Sequence, residues 1–215
     1  MSTSETVFAA VIAVLSLAGL ILASRVLEGP DKRRRQFFVY YTNLSNAAML
    51  LVHALLLIPG PARDLLRTPL ARYLTVLCIL VTFIIYFFVL TRFGRHSRRD
   101  TMQSLGTRRY SNALVHYLVP LFTAAEWILA ADKRGLGLSA ALWWLLVPLA
   151  YLVFLLLRAR SGGIIENTGS RWPYAFMDLD RLGLKCWAGY MLLTLLGFFL
   201  LGLALAGLAH LLSAT

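Results

Sequence analysis

The sequence predicts an all-α polytopic membrane protein, a bundle of six transmembrane helices with both termini outside. Of the 215 residues, 59% are hydrophobic and only 14% are charged. The mean hydropathy is +0.71, a value typical of integral membrane proteins. Six apolar runs are long enough to cross a hydrocarbon core of roughly 30 Å. Because only short connections are left between them, residues 1–215 are expected to form a single transmembrane domain.

The six predicted spans account for most of the chain. No Lys or Arg precedes the first run, and it ends in Arg25 and Glu28 without a cleavage site, so it is interpreted as a retained helix and not as a secretory signal. The longest connection, 159–186, mixes glycine, aromatic and charged residues and is predicted to be a cytoplasmic, lid-like loop. The spans are expected at about 6–27, 37–59, 70–93, 109–131, 138–158 and 187–212.

The basic residues predict the orientation of the bundle. A net charge of +11 would suggest a nucleic-acid partner in a soluble protein, but here 16 of the 21 Lys and Arg residues fall in the first, third and fifth connections. Since such residues accumulate on the cytoplasmic side, these connections are predicted to be cytoplasmic, and no nucleic-acid partner is expected. Arg outnumbers Lys 18 to 3, which favours a bacterial inner membrane.

Polar residues stand near the cytoplasmic start of two spans. Thr42 of span two and His116 of span four each lie seven residues past a cytoplasmic arginine, which is about 10 Å at 1.5 Å per residue. Because both spans begin at the same membrane face, the hydroxyl and the imidazole are expected at one depth. Asn46 and Asn112 lie four residues from Thr42 and His116 and share their helix faces.

A second polar layer is predicted further along the same two spans. His53 falls close to the helix face of Thr42, and Glu126 lies ten residues after His116. Ionisable groups inside a bilayer are costly unless they are paired, so we expect a contact between His53 and Glu126. Such a contact would either belong to a functional interior or be a buried structural pair.

Each polar residue of the first layer also has a structural explanation. A threonine in a membrane helix often bonds its hydroxyl to the carbonyl four residues earlier, here Phe38 for Thr42. Asn and Ser side chains often join neighbouring helices.

No metal or cofactor is expected. The sequence contains no phosphate-loop, dinucleotide or zinc-protease motif. Cys78 and Cys186 fit neither a disulfide framework nor a metal-binding pattern.

Three short motifs resemble the androgen-induced protein family and its bacterial six-helix relatives. They are YYTNLSN at 40–46, HYLVPLFTAAEW at 116–127 and GSRWPYAFMDL at 169–179. The resemblance implies a membrane threonine hydrolase that acts on fatty acid esters of hydroxy fatty acids. The essential Thr and His of the family match Thr42 and His116.

The chemistry of such a dyad follows from its residue types. A threonine hydroxyl becomes a nucleophile when a base takes its proton, and a neutral histidine within about 3 Å is a suitable base. His116 fits that role for Thr42. A lipid or amphiphilic ester is the expected substrate, reached from the cytoplasmic leaflet. The candidate donors to the developing oxyanion, in falling order, are Asn46, Asn112, Asn43 and Ser45.

A third group that orients His116 is not obvious in the sequence. Glu126 lies about 15 Å further along the same helix and is out of reach. Asp178 and Asp180 of the lid-like loop are candidates, and ordinary loop acids flanking Arg181 are the alternative. The aromatic residues expected to belong to the same lid are Trp172 and Tyr174.

Two other classes of function stay open. A small proton-coupled transporter or channel would use the buried His and Glu residues as a relay, although no internal repeat or matched pair of broken helices is evident. A non-catalytic lipid-binding membrane protein is the other alternative.

Overall fold

A computed structural model describes residues 2–28, 36–90 and 107–213. These residues contain no β-strand, and their single antiparallel bridge joins Ile165 to Ser170. Five of their helices are long and apolar enough to cross a membrane, and Tyr41–Leu57 is a shorter apolar helix of 17 residues. The all-α prediction is confirmed for the described residues, and the helix lengths are compatible with an integral membrane protein.

Nine α-helices, two π-helical segments and three 3₁₀ turns make up the described ranges. The α-helices are α1 (Thr3–Ser24), α2 (Tyr41–Leu57), α3 (Pro61–Leu66), α4 (Pro69–Ile84), α5 (Thr107–Ala113), α6 (Val119–Leu129), α7 (Ala140–Trp144), α8 (Leu146–Arg160) and α9 (Leu179–Ser213). The π-helical segments are Ile85–Leu90, which continues α4, and Leu114–Leu118, which joins α5 to α6. The 3₁₀ turns are Val26–Glu28, Phe37–Val39 and Ala175–Met177.

The chain divides into two compact units. The first comprises Met1–Gly135 with Leu212–Thr215, and the second comprises Leu136–Leu211. The first unit contains both predicted polar layers. The second contains the lid-like connection.

One hydrophobic cluster of the first unit joins four helices. Ile12 of α1, Met49 of α2, Ile79 of α4 and Val119 of α6 are almost fully buried against one another. In lipid, where the surroundings are as apolar as these side chains, such a contact is stabilised by close packing. The packing is tight at Gly19 of α1, where an added Cβ would lie 2.8 Å from Cγ1 of Val115.

The second helix begins later than the sequence predicts, at Tyr41 instead of about residue 37. Phe37–Val39 is a 3₁₀ turn, and Tyr40 is extended with φ −83° and ψ 129°. Thr42 therefore lies in the first turn of α2. A depth counted at 1.5 Å per residue from Arg35 does not apply to this path, because a 3₁₀ turn rises about 2.0 Å per residue. Arg35 itself lies outside the described residues, as do most basic residues of the first and third connections.

The longest connection is also shorter than predicted. Instead of spanning 159–186, it runs from the end of α8 at Arg160 to the start of α9 at Leu179. Gly183 interrupts the first turns of α9 with φ 71° and ψ 159°, a backbone conformation that favours glycine. Sequence periodicity detects only the regular part of α9 that follows this interruption.

Candidate active site

Two of the four polar side chains at the start of α2 hold the local fold together. Asn43 donates from Nδ2 to the Phe37 carbonyl at 2.7 Å, which fixes the 3₁₀ turn before the helix. The Ser45 hydroxyl lies 2.7 Å from the hydroxyl of Thr82 on α4 and donates to the Thr42 carbonyl at 3.0 Å. Both residues are buried. Their structural explanation is sufficient, and it leaves one amide hydrogen of Asn43 without an acceptor among the described residues.

Asn46 joins α2 to the π-helical segment that carries His116. Its side chain is 0% exposed, and Nδ2 donates to the carbonyls of Thr42 at 2.8 Å and Val115 at 3.1 Å. Both amide hydrogens are thus engaged, while Oδ1 has no partner among the described residues. Asn46 offers an acceptor and no donor, which removes the first-ranked candidate from the oxyanion set.

Of the four polar residues at the start of α2, Thr42 is the one whose side chain makes no hydrogen bond with a described residue. Its side chain is partly exposed, and its hydroxyl makes no hydrogen bond within the described part of the chain. Thr75 and Thr123, in contrast, each donate to the carbonyl four residues earlier, Ala71 and Val119, at 2.8 Å. Thr42 differs because Phe38, four residues before it, lies in a 3₁₀ turn and not in α2. Its hydroxyl is therefore available for chemistry.

His116 lies in the π-helical segment with its ring held by an aromatic contact. The ring stacks on Tyr86, with centroids 3.8 Å apart and planes 14° apart. Tyr86 belongs to the other π-helical segment, and such segments are frequent at functional sites. The side chain is 9% exposed, and Nδ1 has no hydrogen-bond partner among the described residues. Among the described residues, stacking on Tyr86 and not a carboxylate sets the orientation of this imidazole.

The dyad layer, defined as Thr42, Asn46 and His116, combines these features. The side-chain amide of Asn46 connects the helical turn that contains Thr42 to the turn that contains His116. Across the described ranges, no hydrogen bond joins Thr42 directly to His116. Asn112 is partly exposed, and its amide makes no hydrogen bond with a described residue. Among the four candidates for the oxyanion, Asn112 keeps both amide hydrogens, whereas Asn43 keeps one.

The predicted contact between His53 and Glu126 is present and includes an arginine. His53 Nε2 lies 3.3 Å from Oε2 of Glu126, and Nδ1 lies 2.8 Å from the Met49 carbonyl. The guanidinium of Arg72 contacts the other oxygen of Glu126 through Nη2. The exposed fractions are 0% for His53, 2% for Glu126 and 6% for Arg72. These three residues are the charged layer.

Sequence reasoning missed Arg72, which was counted with the second connection. It lies three residues into the apolar run that begins at Pro69. The start of α4 meets the end of α6, where Glu126 lies. A comparison of depth between these two helix ends would have paired the two charges. Sequence reasoning also missed Tyr86. Nothing in the sequence distinguishes this residue from the other aromatic residues around it.

The acids of the lid-like connection have partners within their own segment. Asp178 accepts hydrogen bonds from the Ser170 hydroxyl at 2.8 Å and the Arg181 amide at 3.0 Å. Asp180 accepts from two nitrogens of Arg171, at 3.0 and 2.6 Å, and from Trp172 Nε1 at 2.9 Å. Asp180 thus pairs with Arg171 and not with Arg181. Tyr174 stacks on Phe176. A role for this segment as a lid stays a prediction.

The described residues form an all-helical protein with candidate membrane spans. Its Thr42 and His116 side chains are not hydrogen-bonded to each other. Within the same ranges, no group of three or more His, Cys, Asp or Glu side chains is placed to hold a metal ion. Comparisons of the chain with protein-family models, with curated proteins and with solved structures give no match. The resemblance to the androgen-induced protein family therefore rests on the three motifs, and the function is argued from the site.

Proposed function

We propose that the chain is an intramembrane hydrolase that cleaves a lipid ester with Thr42 as nucleophile and His116 as base. One observation carries the proposal: the Thr42 hydroxyl is unbonded within the described residues, whereas Asn46 ties its turn to the turn of His116. The match of these two residues to the essential Thr and His of the family that the motifs resemble adds support.

The reaction follows the usual course of nucleophilic acyl transfer. A nitrogen of His116 takes the hydroxyl proton while Thr42 Oγ1 forms a bond to the ester carbonyl carbon. The tetrahedral intermediate collapses when the bond to the leaving oxygen breaks, and His116 returns its proton to that alcohol. Water, deprotonated by His116, then attacks the acyl-Thr42 ester and releases the acid. The proton on His116 regenerates the Thr42 hydroxyl.

Stabilisation of the oxyanion is assigned to Asn112. Its amide has no hydrogen bond with a described residue, so it can donate without breaking a structural contact. The amide of Asn46 already donates twice. Preorganised donors of this kind are typically worth about 3–4 kcal/mol in the transition state. An amphiphilic ester entering sideways from the cytoplasmic leaflet is the proposed substrate.

The proposed topology has six spans with both termini outside, in a bacterial inner membrane. The 17 residues of α2 rise about 26 Å, and the turn before them adds length toward the roughly 30 Å of the bilayer. In a background with both native cysteines replaced by serine, Ser4→Cys is expected to react with an impermeant maleimide in intact spheroplasts. Protection of that cysteine until the membrane is permeabilised would contradict the orientation.

The hydrolase proposal is tested by active-site labelling. A fluorophosphonate probe should label the purified wild type, and Thr42→Ala should abolish the labelling. Thr123→Ala is the matched control, because that hydroxyl is buried and bonded to its own helix, and labelling of this variant should persist. Equal labelling of wild type and Thr42→Ala would overturn the proposal.

A small proton-coupled transporter is the second candidate, and the charged layer is the observation that favours it. Buried ionisable residues mark proton pathways in many transporters. A transporter predicts no fluorophosphonate adduct and a loss of proton-coupled uptake in Glu126→Gln. The labelling experiment therefore separates the two candidates.

A further inference from the structure

A cavity of about 320 Å³ opens beside the charged layer in the first unit. Its volume is at the lower end of the range for small-molecule pockets, about 300–1,000 Å³. Arg72 and Glu126, both almost fully buried, form part of its wall. The charged residues that line it are Glu5, Asp64, Arg67, Arg72, Glu126 and Asp132.

The carboxylates at the cavity rim are each balanced by an arginine. The Arg134 side chain, hydrogen-bonded to Asp132, lowers the pKa of that carboxyl to about 2, so Asp132 is negative at neutral pH and its partner offsets the charge. The rim as a whole is close to neutral and does not exclude an anion. The pairs are Glu5 with Arg67 at 3.4 Å, Asp64 with Arg63 at 4.0 Å and Asp132 with Arg134 at 3.0 Å.

The hydrogen bonds of the charged layer imply one excess positive charge. His53 Nδ1 faces a carbonyl oxygen, which only accepts hydrogen bonds, so this nitrogen carries a hydrogen. Nε2 faces Glu126, and a hydrogen bond there requires a proton on one of the two groups. Whether the imidazole or the carboxyl holds it, the sum with Arg72 is +1. A net charge inside a helix bundle is costly without a counter-ion.

Arg72 also has an unused donor. Nη2 contacts Glu126, but Nη1 has no hydrogen-bond partner among the described residues, although the side chain is only 6% exposed. A buried donor without a partner costs about 1–3 kcal/mol. The unmet donor and the unmet charge belong to one residue, Arg72, which is among the residues that line the cavity.

We propose that this cavity binds a small carboxylate anion on Arg72. A carboxylate supplies the missing negative charge and the missing acceptor together, and guanidinium groups bind carboxylates in a planar, two-point geometry. The cavity volume limits the ligand to a short chain. The site is separate from Thr42 and His116, and the inference does not depend on the proposed hydrolase activity.

The test is a binding titration with the purified full chain in detergent micelles. Sodium acetate and sodium propionate are added against sodium chloride at equal ionic strength, and thermal unfolding and isothermal calorimetry are recorded. The wild type should show saturable stabilisation by the carboxylates beyond that by chloride. Arg72→Lys keeps the charge opposite Glu126 but loses the planar fork, so its carboxylate affinity should fall about tenfold or more. Arg160→Gln, an exposed residue at the end of α8 that does not line the cavity, should change the affinity less than about threefold.

Two results would overturn the inference: carboxylates that stabilise the wild type no more than chloride does, or an Arg72→Lys variant that binds acetate as tightly as the wild type. If Arg72→Lys does not fold, judged by circular dichroism and size-exclusion chromatography, the wild-type titration decides. Saturable stabilisation specific to carboxylates then supports the site, and its absence removes it.

Discussion

The dyad layer and the charged layer lie in the same unit, yet they differ in how many of their polar side chains are paired. In the charged layer, every ionisable side chain contacts an oppositely charged or accepting group. In the dyad layer, the Thr42 hydroxyl and His116 Nδ1 have no partner among the described residues. A paired buried charge stabilises the fold only while its pairing is intact. A buried polar atom without a described partner, such as His116 Nδ1 or Arg72 Nη1, requires an explanation, and a catalytic or binding role is one such explanation.

The largest effect is expected from breaking the charged layer. Glu126→Gln leaves Arg72 buried without its carboxylate partner, and removing one member of a buried ion pair costs about 3–5 kcal/mol. The free energy of unfolding, measured by denaturant titration in mixed micelles, should fall by that amount. Arg67→Ala, which removes a partly exposed arginine, should cost under about 1 kcal/mol. Equal losses in the two variants would contradict the distinction between the layer and its rim.

A smaller loss is expected from Asn46→Leu. The change removes the donors to the Thr42 and Val115 carbonyls, and unsatisfied buried groups cost about 1–3 kcal/mol. The same variant should lose fluorophosphonate labelling, because the turns of Thr42 and His116 are no longer tied together. Asn112→Leu, measured in parallel, should change the free energy of unfolding by less than about 0.5 kcal/mol. Full labelling of Asn46→Leu would show that the amide does not position the dyad.

Gly19→Ala tests the packing behind His116. The new Cβ would lie 2.8 Å from Val115 Cγ1 and 3.2 Å from Leu114 Cβ, so the π-helical segment must shift. Overpacking should lower the free energy of unfolding by about 1–3 kcal/mol. Replacing a helical glycine with alanine should restore about 0.5–1 kcal/mol of that loss. The net loss should be roughly 0.5–2 kcal/mol, with slower labelling.

Gly207→Ala is the control for this substitution, since no atom lies within 4 Å of its added Cβ. It should leave labelling unchanged and raise the free energy of unfolding slightly. A Gly19→Ala variant that is as stable and as reactive as wild type would show that the close approach of α1 does not position His116.

The smallest effect is expected at the exposed pair of Asp132 and Arg134. The pKa of Asp132 is lowered to about 2 by its hydrogen bonds to Arg134, so any stabilisation is present above the unfolded pKa of about 3.9 and is lost as the pH falls through about 2. Because the pair is exposed, its contribution is small, so Asp132→Asn should unfold close to the wild-type temperature and should show the same difference at pH 7 as at pH 5. A clear difference that appears between these two pH values would assign a titration to some other group.

Much of the fold, and part of the site, could be predicted from the sequence. Long apolar runs predict helices because hydrocarbon requires every backbone hydrogen bond to be satisfied within the segment. The cost of burying a charge predicted the contact between His53 and Glu126. The pairing with Arg72 was missed because a basic residue near the end of a span is equally well explained by the orientation of the chain.

Local backbone geometry was the part that the sequence pattern could not supply. Hydrophobicity does not distinguish an α-helix from a 3₁₀ turn or a π-helical segment, so the late start of α2 and the widened turn around His116 were not foreseen. The bonding of Asn46 to two carbonyls depends on that geometry. Its exclusion as an oxyanion donor therefore needed the structure.

The proposal that Thr42 is the nucleophile is tested most directly by peptide mapping of the labelled protein. Wild-type protein is treated with the fluorophosphonate, digested, and analysed by tandem mass spectrometry for the modified residue. We predict a single phosphonate adduct on Thr42 Oγ1, formed much more slowly in His116→Gln. An adduct on Ser45 or another hydroxyl, or no adduct on the peptide that contains residues 40–46, would contradict it.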